Sequence, residues 1–464
     1  NPAVTGTIRR MERAETPTAG PADSQDTIYA LSSAPGRSGV AIIRISGPNA
    51  FAMADRITRQ GRPTTARLLA RVTFVEPGDQ AFLDDGMMAV FPAPRSFTGE
   101  DVVECHIHGG IATTNGMLSA LAAMGLGALA GPGEFTRRAV LNGKMDLIQA
   151  EGLGDLIDAE TQSQRTLALR ALGADHRRLV DGWKDALADA LALGEATIEF
   201  EEEDIPEALE RRVRTTCVAV HRAIQDNLSA SARAAKIRSG FQVALVGPPN
   251  AGKSSLLNAL SRSEAAIVTD QAGTTRDVVR VPLDLWGYRV ELLDTAGLRD
   301  ANDAIEAEGI RRAWAAAGES DLTLLCVDGR ISAPDVLTMR GSIEGETLIL
   351  ATKSDLFSGR PDWAESVVSA QTGEGLAALE RQIIDRLVVS GPPEEGLFAN
   401  ARQREALSRC VANLERVLTG LEEENWELWA EDLRQALTQL GRLTGHVETE
   451  EILGRIFASF CIGK

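Results

Sequence analysis

The chain has 464 residues, 44% of them hydrophobic and 25% charged, with a formal net charge of −18 at pH 7. This composition is typical of a globular protein of about two to four domains, and the negative charge disfavours broad, nonspecific binding to nucleic acid. No apolar run approaches the roughly 18 to 20 residues of a membrane span, so we expect no membrane attachment. The five cysteines are scattered without a CxxC pair, which argues against zinc or disulfide frameworks and favours a cytoplasmic location.

The chain changes character near residue 26. Residues 1–25 are rich in Thr, Pro, Ala and Gly without an apolar period, and we predict a disordered leader there. Short apolar runs at 27–31 and 39–45 predict strands, and a helical stretch follows near 113–124. Residues 26–143 are therefore expected to form a compact α+β domain.

Two helical regions flank an α/β region. Residues 144–240 and 390–464 show apolar residues at helical spacing, whereas residues 241–389 alternate predicted strands and helices, which indicates a mostly parallel sheet. Because helical pieces that flank an insertion commonly pack together, we predict one helical domain interrupted by the α/β domain. The two apolar stripes comprise Leu147, Ala150, Leu153, Leu156 and Ile157, and Leu407, Val411, Leu414, Leu418 and Leu421.

A phosphate-binding loop follows the first strand of the α/β region. The apolar run 241–246 leads into GPPNAGKS at 247–254, which fits G-x-x-x-x-G-K-S between a strand and a helix. Backbone N–H groups of such a loop surround phosphates, Lys253 would reach the β- and γ-phosphates, and Ser254 would ligate Mg²⁺. The nucleotide contacts expected here are Asn250, Ala251, Gly252, Lys253, Ser254 and Ser255.

Further motifs follow in strand order and indicate guanine rather than adenine. Asp294-Thr295-Ala296-Gly297 is a D-x-x-G, which would bring a carboxylate near Mg²⁺ and a glycine N–H near the γ-phosphate. Thr352-Lys353-Ser354-Asp355 resembles the guanine-reading N-K-x-D, in which Asp355 would accept hydrogen bonds from guanine N1 and N2. Thr352 replaces the usual Asn, so one contact to the base is altered or lost. Ser369-Ala370 would add a backbone contact to guanine O6, and Thr275 is expected to complete the Mg²⁺ shell.

These motifs leave open which group orients the attacking water. Leu298 follows Gly297 at the position where small signalling GTPases often carry a glutamine. Glu306 is the candidate replacement, and an ordinary surface carboxylate is the alternative interpretation of it. Asn250 could help to hold a monovalent cation against the phosphates, where positive charge stabilises the transition state.

Longer stretches resemble the bacterial tRNA modification GTPases of the MnmE (TrmE) family over residues 26–464. The matching segments include both ends of the chain, which an isolated G domain would lack. They are GRSGVAIIRISG at 36–47, SFTGEDVVE at 96–104, HGG at 108–110, GPGEFTR at 131–137, LNGK at 141–144, PNAGKSS at 249–255, GTTRD at 273–277 and CIGK at 461–464.

The resemblance implies a fold and a set of ligands. It implies a homodimer formed through an N-terminal domain that binds a tetrahydrofolate derivative (5,10-methylene or 5-formyl), a helical domain, and an inserted Ras-like P-loop GTPase domain. The two G domains would dimerise around K⁺, and Glu306 would orient the water. The matching folate positions are Arg44, Glu104, Lys144 and Lys464, and the matching K⁺ positions are Asn250, Thr269, Gln271 and Thr274.

The resemblance also implies a reaction and a partner. Members of the family work with the FAD-dependent protein MnmG (GidA) in a heterotetramer. Together they add an aminomethyl or carboxymethylaminomethyl group to C5 of the wobble uridine, U34, of certain tRNAs, with the one-carbon unit drawn from methylenetetrahydrofolate. Cys461 lies in the matching C-terminal motif, which makes it a candidate catalytic thiol, whereas a lone cysteine near a chain end is usually inert.

Two other classes of protein compete with this interpretation. A ribosome-assembly GTPase, or another regulatory GTPase switch, would share the G domain but not the two ends of the chain. A P-loop ATPase of transport or repair would lack the base-reading carboxylate that Asp355 supplies. Because the net charge is −18, we expect weak tRNA affinity for the isolated protein, with the partner supplying most of the basic surface.

Overall fold

The computed structural model describes residues 26–198, 207–262, 267, 279–294, 318–388, 396–422, 426–445, 450–458 and 460–463. The chain divides into two compact units. The N-terminal unit comprises Asn1–Met145 and Thr449–Lys464, and the second unit comprises Asp146–Glu448. We predicted residues 390–464 as the second part of the helical domain, whereas the described residues from 450 onward belong to the N-terminal unit. Of the described helices, none has the length and apolar character needed to cross a lipid bilayer.

The described residues form the following elements. The strands are β1 (Ile28–Leu31), β2 (Ser38–Ser46), β3 (Ala70–Val75), β4 (Phe82–Phe91), β5 (Val102–Gly109), β6 (Ala128–Leu129), β7 (Phe241–Val246), β8 (Val279–Leu285), β9 (Tyr288–Asp294), β10 (Leu322–Asp328), β11 (Thr347–Thr352) and β12 (Ser366–Val368). The helices are α1 (Ala50–Ile57), α2 (Ile111–Ala123), α3 (Glu134–Leu141), α4 (Leu147–Asp158), α5 (Gln162–Leu172), α6 (Asp175–Ile198), α7 (Glu207–Ser239), α8 (Lys253–Ser261), α9 (Ala333–Gly341), α10 (Leu376–Leu387), α11 (Ala401–Glu422), α12 (Trp426–Thr444) and α13 (Glu450–Phe457).

The N-terminal unit is built on a sheet with the strand order β3-β4-β5-β2-β1-β6. Its pairs are antiparallel except for β1 with β6. Alternate side chains of a strand point to opposite faces, so Ile43 and Cys105 enter the core formed with α1 and α2. Arg44 and Glu104, which pair across β2 and β5, therefore lie on the other face of the sheet. The α+β expectation for residues 26–143 agrees with this arrangement.

The end of the chain packs against the N-terminal unit. Helix α13 contacts α3, and Ile462 forms an isolated antiparallel bridge with Pro132. The Ser32 hydroxyl donates to the Gly463 carbonyl oxygen over 2.8 Å. Gly463 has φ +97°, and a Cβ there would lie 1.9 Å from the Leu31 carbonyl oxygen. Only glycine fits this conformation and this close approach, so the final turn is specified by sequence.

The four long helices α6, α7, α11 and α12 form a bundle in the second unit. Each of them packs against two of the others around a core that includes Leu187, Leu414 and Trp429. Gly194 lies directly under the Trp429 ring, since a Cβ on Gly194 would fall 1.9 Å from the nearest ring carbon. The helical pieces on either side of the inserted region thus share one core.

Buried polar pairs lie near the start of the helical region. Asp146 caps α4 through a capping box with Gln149, and its carboxylate lies 3.3 Å from His176 Nε2. Burial raises the pKa of Asp146, but the hydrogen bonds from His176 and from the Gln149 N–H outweigh it and leave this pKa below its usual range. Glu151 is also buried and accepts two hydrogen bonds from Arg402, at 2.7 and 2.9 Å, across the two halves of the helical region.

The inserted region has a sheet of its own with the order β12-β11-β10-β7-β9-β8. All of its pairs are parallel except β8 with β9, which confirms the prediction of a mostly parallel sheet. Buried side chains fill both faces, as parallel sheets require.

The two predicted apolar stripes differ in how completely the structure buries them. Leu407, Leu414 and Leu421 are buried in the bundle core, as expected from their spacing. In the first stripe Leu147 and Ala150 are buried, but Ile157 is 37% exposed, because α4 ends one residue later and its last turn is half covered. The break predicted near residues 205–206 lies outside the described residues.

Candidate functional site

The loop between β7 and α8 is shaped by residues in left-handed backbone conformations. Gly247 has φ +142°, and a Cβ there would lie 2.0 Å from the Cys326 carbonyl oxygen of β10. Gly252 has φ +86° directly before α8, and Asn250 has φ +58°. Such positive-φ residues let a loop turn tightly between a strand and a helix, which is the backbone arrangement of anion-binding loops.

Lys253 opens α8 and turns back over this loop. Its Nζ donates to the carbonyl oxygens of Gly247, at 2.7 Å, and Pro248, at 2.9 Å, and the residue is only 9% exposed. An ammonium group held beside a helix N-terminus favours a bound phosphate group. Ser254 and Ser255 follow in the first turn of the helix and are exposed, as is Asn250.

A cavity of about 220 Å³ adjoins the same helix start. The Asp355 carboxylate lies at its rim and accepts a 2.6 Å hydrogen bond from the Ser369 hydroxyl. The structure thus brings together the two predicted base-reading segments, 352–355 and 369–370, with the phosphate-binding loop. The lining residues are Gly252, Ser255, Leu256, Thr352, Lys353, Asp355, Leu356, Val368, Ala370 and Gln371.

Lys353 is held by a carboxylate that sequence reasoning did not single out. Its Nζ lies 3.0 Å from Asp328 Oδ2 at the end of β10, and Arg330 donates to the same carboxylate. The hydrogen bonds from Arg330, and then that from Lys353, hold the pKa of Asp328 well below its usual range. The position of Asp328 after a buried strand, at the edge where parallel strands end, was the available signal.

Thr352 is buried between the two loops. Its hydroxyl oxygen lies 2.6 Å from the Ala251 carbonyl oxygen and 3.0 Å from the Val327 carbonyl oxygen, and the residue is 4% exposed. The side chain therefore joins the end of β11 to the phosphate-binding loop.

Other predicted nucleotide residues are placed only in part. Asp294 ends β9 in register with Leu245, so the D-x-x-G segment starts beside the strand that carries the phosphate-binding loop. The residues that lie outside the described part of the chain are Thr269, Gln271, Thr274, Thr275, Thr295, Ala296, Gly297, Leu298, Glu306 and Lys464. Among the described residues, no cluster of three or more His, Cys, Asp or Glu side chains could hold a metal ion.

A second polar site lies on the face of the N-terminal sheet opposite α1 and α2. Arg44 donates to Glu104 Oε1 from Nε, at 3.1 Å, and from Nη2, at 2.9 Å. The guanidinium carbon lies 5.1 Å from the ring centroid of Phe97 and 5.6 Å from that of Phe135. Cationic groups are attracted to aromatic faces at such distances, so Arg44 is fixed by a carboxylate and two rings. Phe135 was not singled out from sequence.

Buried hydrogen bonds fix the loop that carries Phe97. Ser46 contacts the Thr98 hydroxyl at 2.7 Å and donates to Glu100 at 2.6 Å. Arg138 binds the same Glu100 at 3.2 Å. Lys144 donates to the Pro94 carbonyl oxygen at 2.6 Å, so this predicted site residue lies at the edge of the same loop.

The C-terminal motif approaches this site through β1. The Gly133 N–H donates to the Cys461 carbonyl oxygen at 3.3 Å, and Ser32, which holds Gly463, follows β1, in which Ala30 pairs with Arg44. Cys461 is exposed, whereas the other four cysteines are buried. Burial raises the pKa of three of these thiols to about 12, those of Cys105, Cys217 and Cys410.

Comparison with known proteins covers nearly the whole chain. Residues 27–144 match the model of the GTP-binding protein TrmE N-terminus, and residues 147–461 match that of the MnmE helical domain. The tRNA modification GTPase MnmE of Parvibaculum lavamentivorans is 47% identical over 447 residues, which is 95% of this chain and 100% of that protein. The protein of the same name from Phenylobacterium zucineum is 44% identical, with the same coverage.

Several solved structures match parts of the chain. The G domain of the T. maritima FeoB iron transporter is 26% identical over 32% of this chain and 98% of its own, with a TM-score of 0.25. A GTP-binding protein of Sulfolobus solfataricus in complex with GDP is 16% identical over 48% of this chain and 70% of its own, also with a TM-score of 0.25.

The family matches confirm the predicted fold class, with an N-terminal α+β domain, a helical domain and an inserted G domain. They also confirm that the chain binds and hydrolyses GTP and acts in tRNA modification. With two family models and full-length relatives in agreement, the chain belongs to the MnmE family of tRNA modification GTPases.

Proposed function

We propose that this chain hydrolyses GTP to drive the addition of an aminomethyl or carboxymethylaminomethyl group to C5 of the wobble uridine, U34, of certain tRNAs. It would act in the cytoplasm as a homodimer, in a heterotetramer with the FAD-dependent partner MnmG (GidA). The observation that carries the proposal is the aromatic-flanked Arg44–Glu104 site in the unit that also binds the C-terminal motif. A regulatory GTPase switch that shared only the G domain would lack this N-terminal site.

The residues of this site fit a tetrahydrofolate derivative. A pterin is planar and carries hydrogen-bond donors and acceptors on its edge, and its glutamate tail is anionic. The half-buried Phe97 can offer a ring face, whereas Phe135 is fully buried and holds Arg44 in place. Arg44 gives Glu104 two of its five N–H donors, which leaves others for a ligand. Lys144 and Lys464 would contact the anionic part. The bound folate would supply the one-carbon unit.

The exposed thiol of Cys461 is proposed as a catalytic group next to this site. Its backbone is held by Gly133 while its side chain stays exposed, so it can meet a substrate without any rearrangement of the sheet. The other four cysteines are buried, and none of them offers such access.

In the G domain we assign each predicted residue a role. Lys253 binds the β- and γ-phosphates, Ser254 and Thr275 ligate Mg²⁺, and Asp355 reads guanine. Glu306 orients the attacking water. Asn250, Thr269, Gln271 and Thr274 would hold K⁺, which supplies positive charge where the transition state develops negative charge. The exposed position of Asn250, with φ +58°, supports this role because its side chain is open to a cation and to a second G domain.

The cation mechanism is tested by GTP hydrolysis in KCl and in NaCl at equal ionic strength. We expect strong stimulation by K⁺ in the wild type and its loss in Asn250→Ala. Asn258→Ala, which changes another exposed asparagine on the following helix, is the matched control and should keep the stimulation. Equal rates of the wild type in the two salts would refute the K⁺ mechanism.

The folate site is tested by calorimetric titration of the full chain with 5-formyltetrahydrofolate. Arg44→Gln should weaken binding by about tenfold or more, since it removes a charged hydrogen-bonding group, with GTP hydrolysis unchanged. Arg71→Gln is the control, because that side chain is 79% exposed at an edge of the same sheet. Wild-type affinity in Arg44→Gln would contradict the assignment.

A further inference from the structure

Thr352 stands where the guanine-reading motif has an asparagine, and its side chain is fully engaged by backbone. The hydroxyl oxygen lies 2.6 Å from the Ala251 carbonyl oxygen and 3.0 Å from the Val327 carbonyl oxygen. One of these carbonyls belongs to the phosphate-binding loop and the other to the end of β10. The residue is 4% exposed, so it is enclosed by these contacts.

The chemistry of a hydroxyl limits what Thr352 can offer to a base. A threonine hydroxyl has one hydrogen to donate, and both of its neighbours here are acceptors. Its hydrogen therefore points to a backbone carbonyl and away from the cavity. Purine N7 and guanine O6 are acceptors, and each needs a donor from the protein. Thr352 has none left for them.

We propose that Thr352 is a positioning residue that ties the phosphate-binding loop to the base-binding loop, and that this protein leaves N7 of the base without a side-chain hydrogen bond. Guanine would then be recognised at its N1 and N2 edge by Asp355 and at O6 by backbone. This inference rests on the proposed role of Asp355 in base recognition. If Thr352 makes no bond to N7, nucleotides altered at N7 should bind as tightly as natural ones.

The test measures dissociation of fluorescent GDP and of its 7-deaza analogue, in which N7 is replaced by C–H, from the full chain. The wild type should release the two nucleotides at rates within about twofold, since no bond to N7 is lost. Thr352→Asn, whose amide can donate, should release the 7-deaza analogue about 2- to 10-fold faster than GDP.

A second pair of variants tests the connection between the loops. Thr352→Val has nearly the same shape but no hydroxyl, and it should release GDP about 5- to 100-fold faster than the wild type. Thr352→Ser keeps the hydroxyl and should restore slow release. Thermal unfolding of each variant separates a local loosening of the site from a general loss of folding.

Two outcomes would overturn the inference. One is a wild type that discriminates strongly against the 7-deaza analogue, in which case the exposed Gln371 at the cavity edge would be the donor to examine. The other is unchanged GDP release from Thr352→Val. Failure of the underlying base site would look different, because Asp355→Ala would then bind GDP like the wild type whatever the Thr352 variants do.

Discussion

Replacing Gly463 by alanine is expected to release the end of the chain from the N-terminal unit. The new Cβ would lie 1.9 Å from the Leu31 carbonyl oxygen and 2.8 Å from its carbonyl carbon. The obstructing atoms belong to the backbone of Leu31 in β1, which is paired with Ile43 of β2, so they cannot move aside without loss of that pairing. The alanine would also have to adopt φ +97°, which L side chains rarely do.

The size of the effect follows from what is lost. A left-handed conformation costs a non-glycine residue about 1 to 2 kcal/mol. Loss of the hydrogen bond between Ser32 and Gly463, and of the one from Gly133 to Cys461, adds roughly 0.5 to 1.5 kcal/mol each. The total loss is about 2 to 5 kcal/mol. This exceeds the free energy of local opening of most short terminal segments. Because Phe457 is 2% exposed and stays packed, α13 itself should remain in place.

Hydrogen–deuterium exchange is the assay. Amides of residues 460–463 should exchange at least about 30-fold faster in Gly463→Ala, since each 1.4 kcal/mol corresponds to a factor of ten. Gly454→Ala is the control in the same segment, because a Cβ on Gly454 would meet nothing within 4 Å. If Gly463→Ala exchanged like the wild type, the described contacts of the C-terminal segment would be wrong. Under the proposed function, Gly463→Ala should also lose tRNA modification while keeping GTP hydrolysis.

Two further predictions concern the helical region. Gly194→Ala should lower its stability by about 1 to 3 kcal/mol through overpacking against Trp429, measured by urea unfolding. Gly182→Ala is the control on the same helix: its Cβ meets nothing within 4 Å, so it should stabilise slightly, by about 0.5 to 1 kcal/mol. The pKa of Asp146 is lowered in the folded state, because the hydrogen bond from His176 outweighs the effect of burial. The ionised carboxylate therefore stabilises the fold above its unfolded pKa of about 3.9, and this stability is lost as the pH falls through the folded pKa. Asp146→Asn should therefore unfold more easily than the wild type at pH 7, and the difference should shrink progressively as the pH falls below about 3.9; a difference that stayed constant would refute this.

Much of the fold could be predicted because its signals are local. The strand that precedes the phosphate-binding loop, the loop itself and the helix after it are specified within 241–261, and the structure has all three. The apolar stripe from Leu407 to Leu421 has helical spacing, and α11 buries it. Helical periodicity and the positions of turn glycines depend only on residues that are neighbours in sequence, so the sequence alone is enough to predict them.

The rest depends on contacts between distant residues. Nothing near Gly194 in sequence indicates that the Trp429 ring covers it, and nothing near Arg44 indicates that Phe135 lies against it. Thr352 could be recognised as a departure from a motif, but its carbonyl partners are set by the meeting of β10, β11 and the phosphate-binding loop. The capping box of Thr161 and Gln164, by contrast, is a local signal for the break between α4 and α5.

The position of α13 on the N-terminal unit has a consequence for protein synthesis. The ribosome makes the sheet strands first, then about 300 residues of the second unit, and only then the segment that covers Gly133. At about 5 to 20 residues per second, this interval lasts roughly 15 to 60 s. During that time the nascent N-terminal unit presents the apolar surface that Phe457 later covers. The N-terminal unit can therefore be completed only after the whole second unit has been translated. A chain that stops before Glu450 leaves the apolar surface exposed to chaperones and proteases.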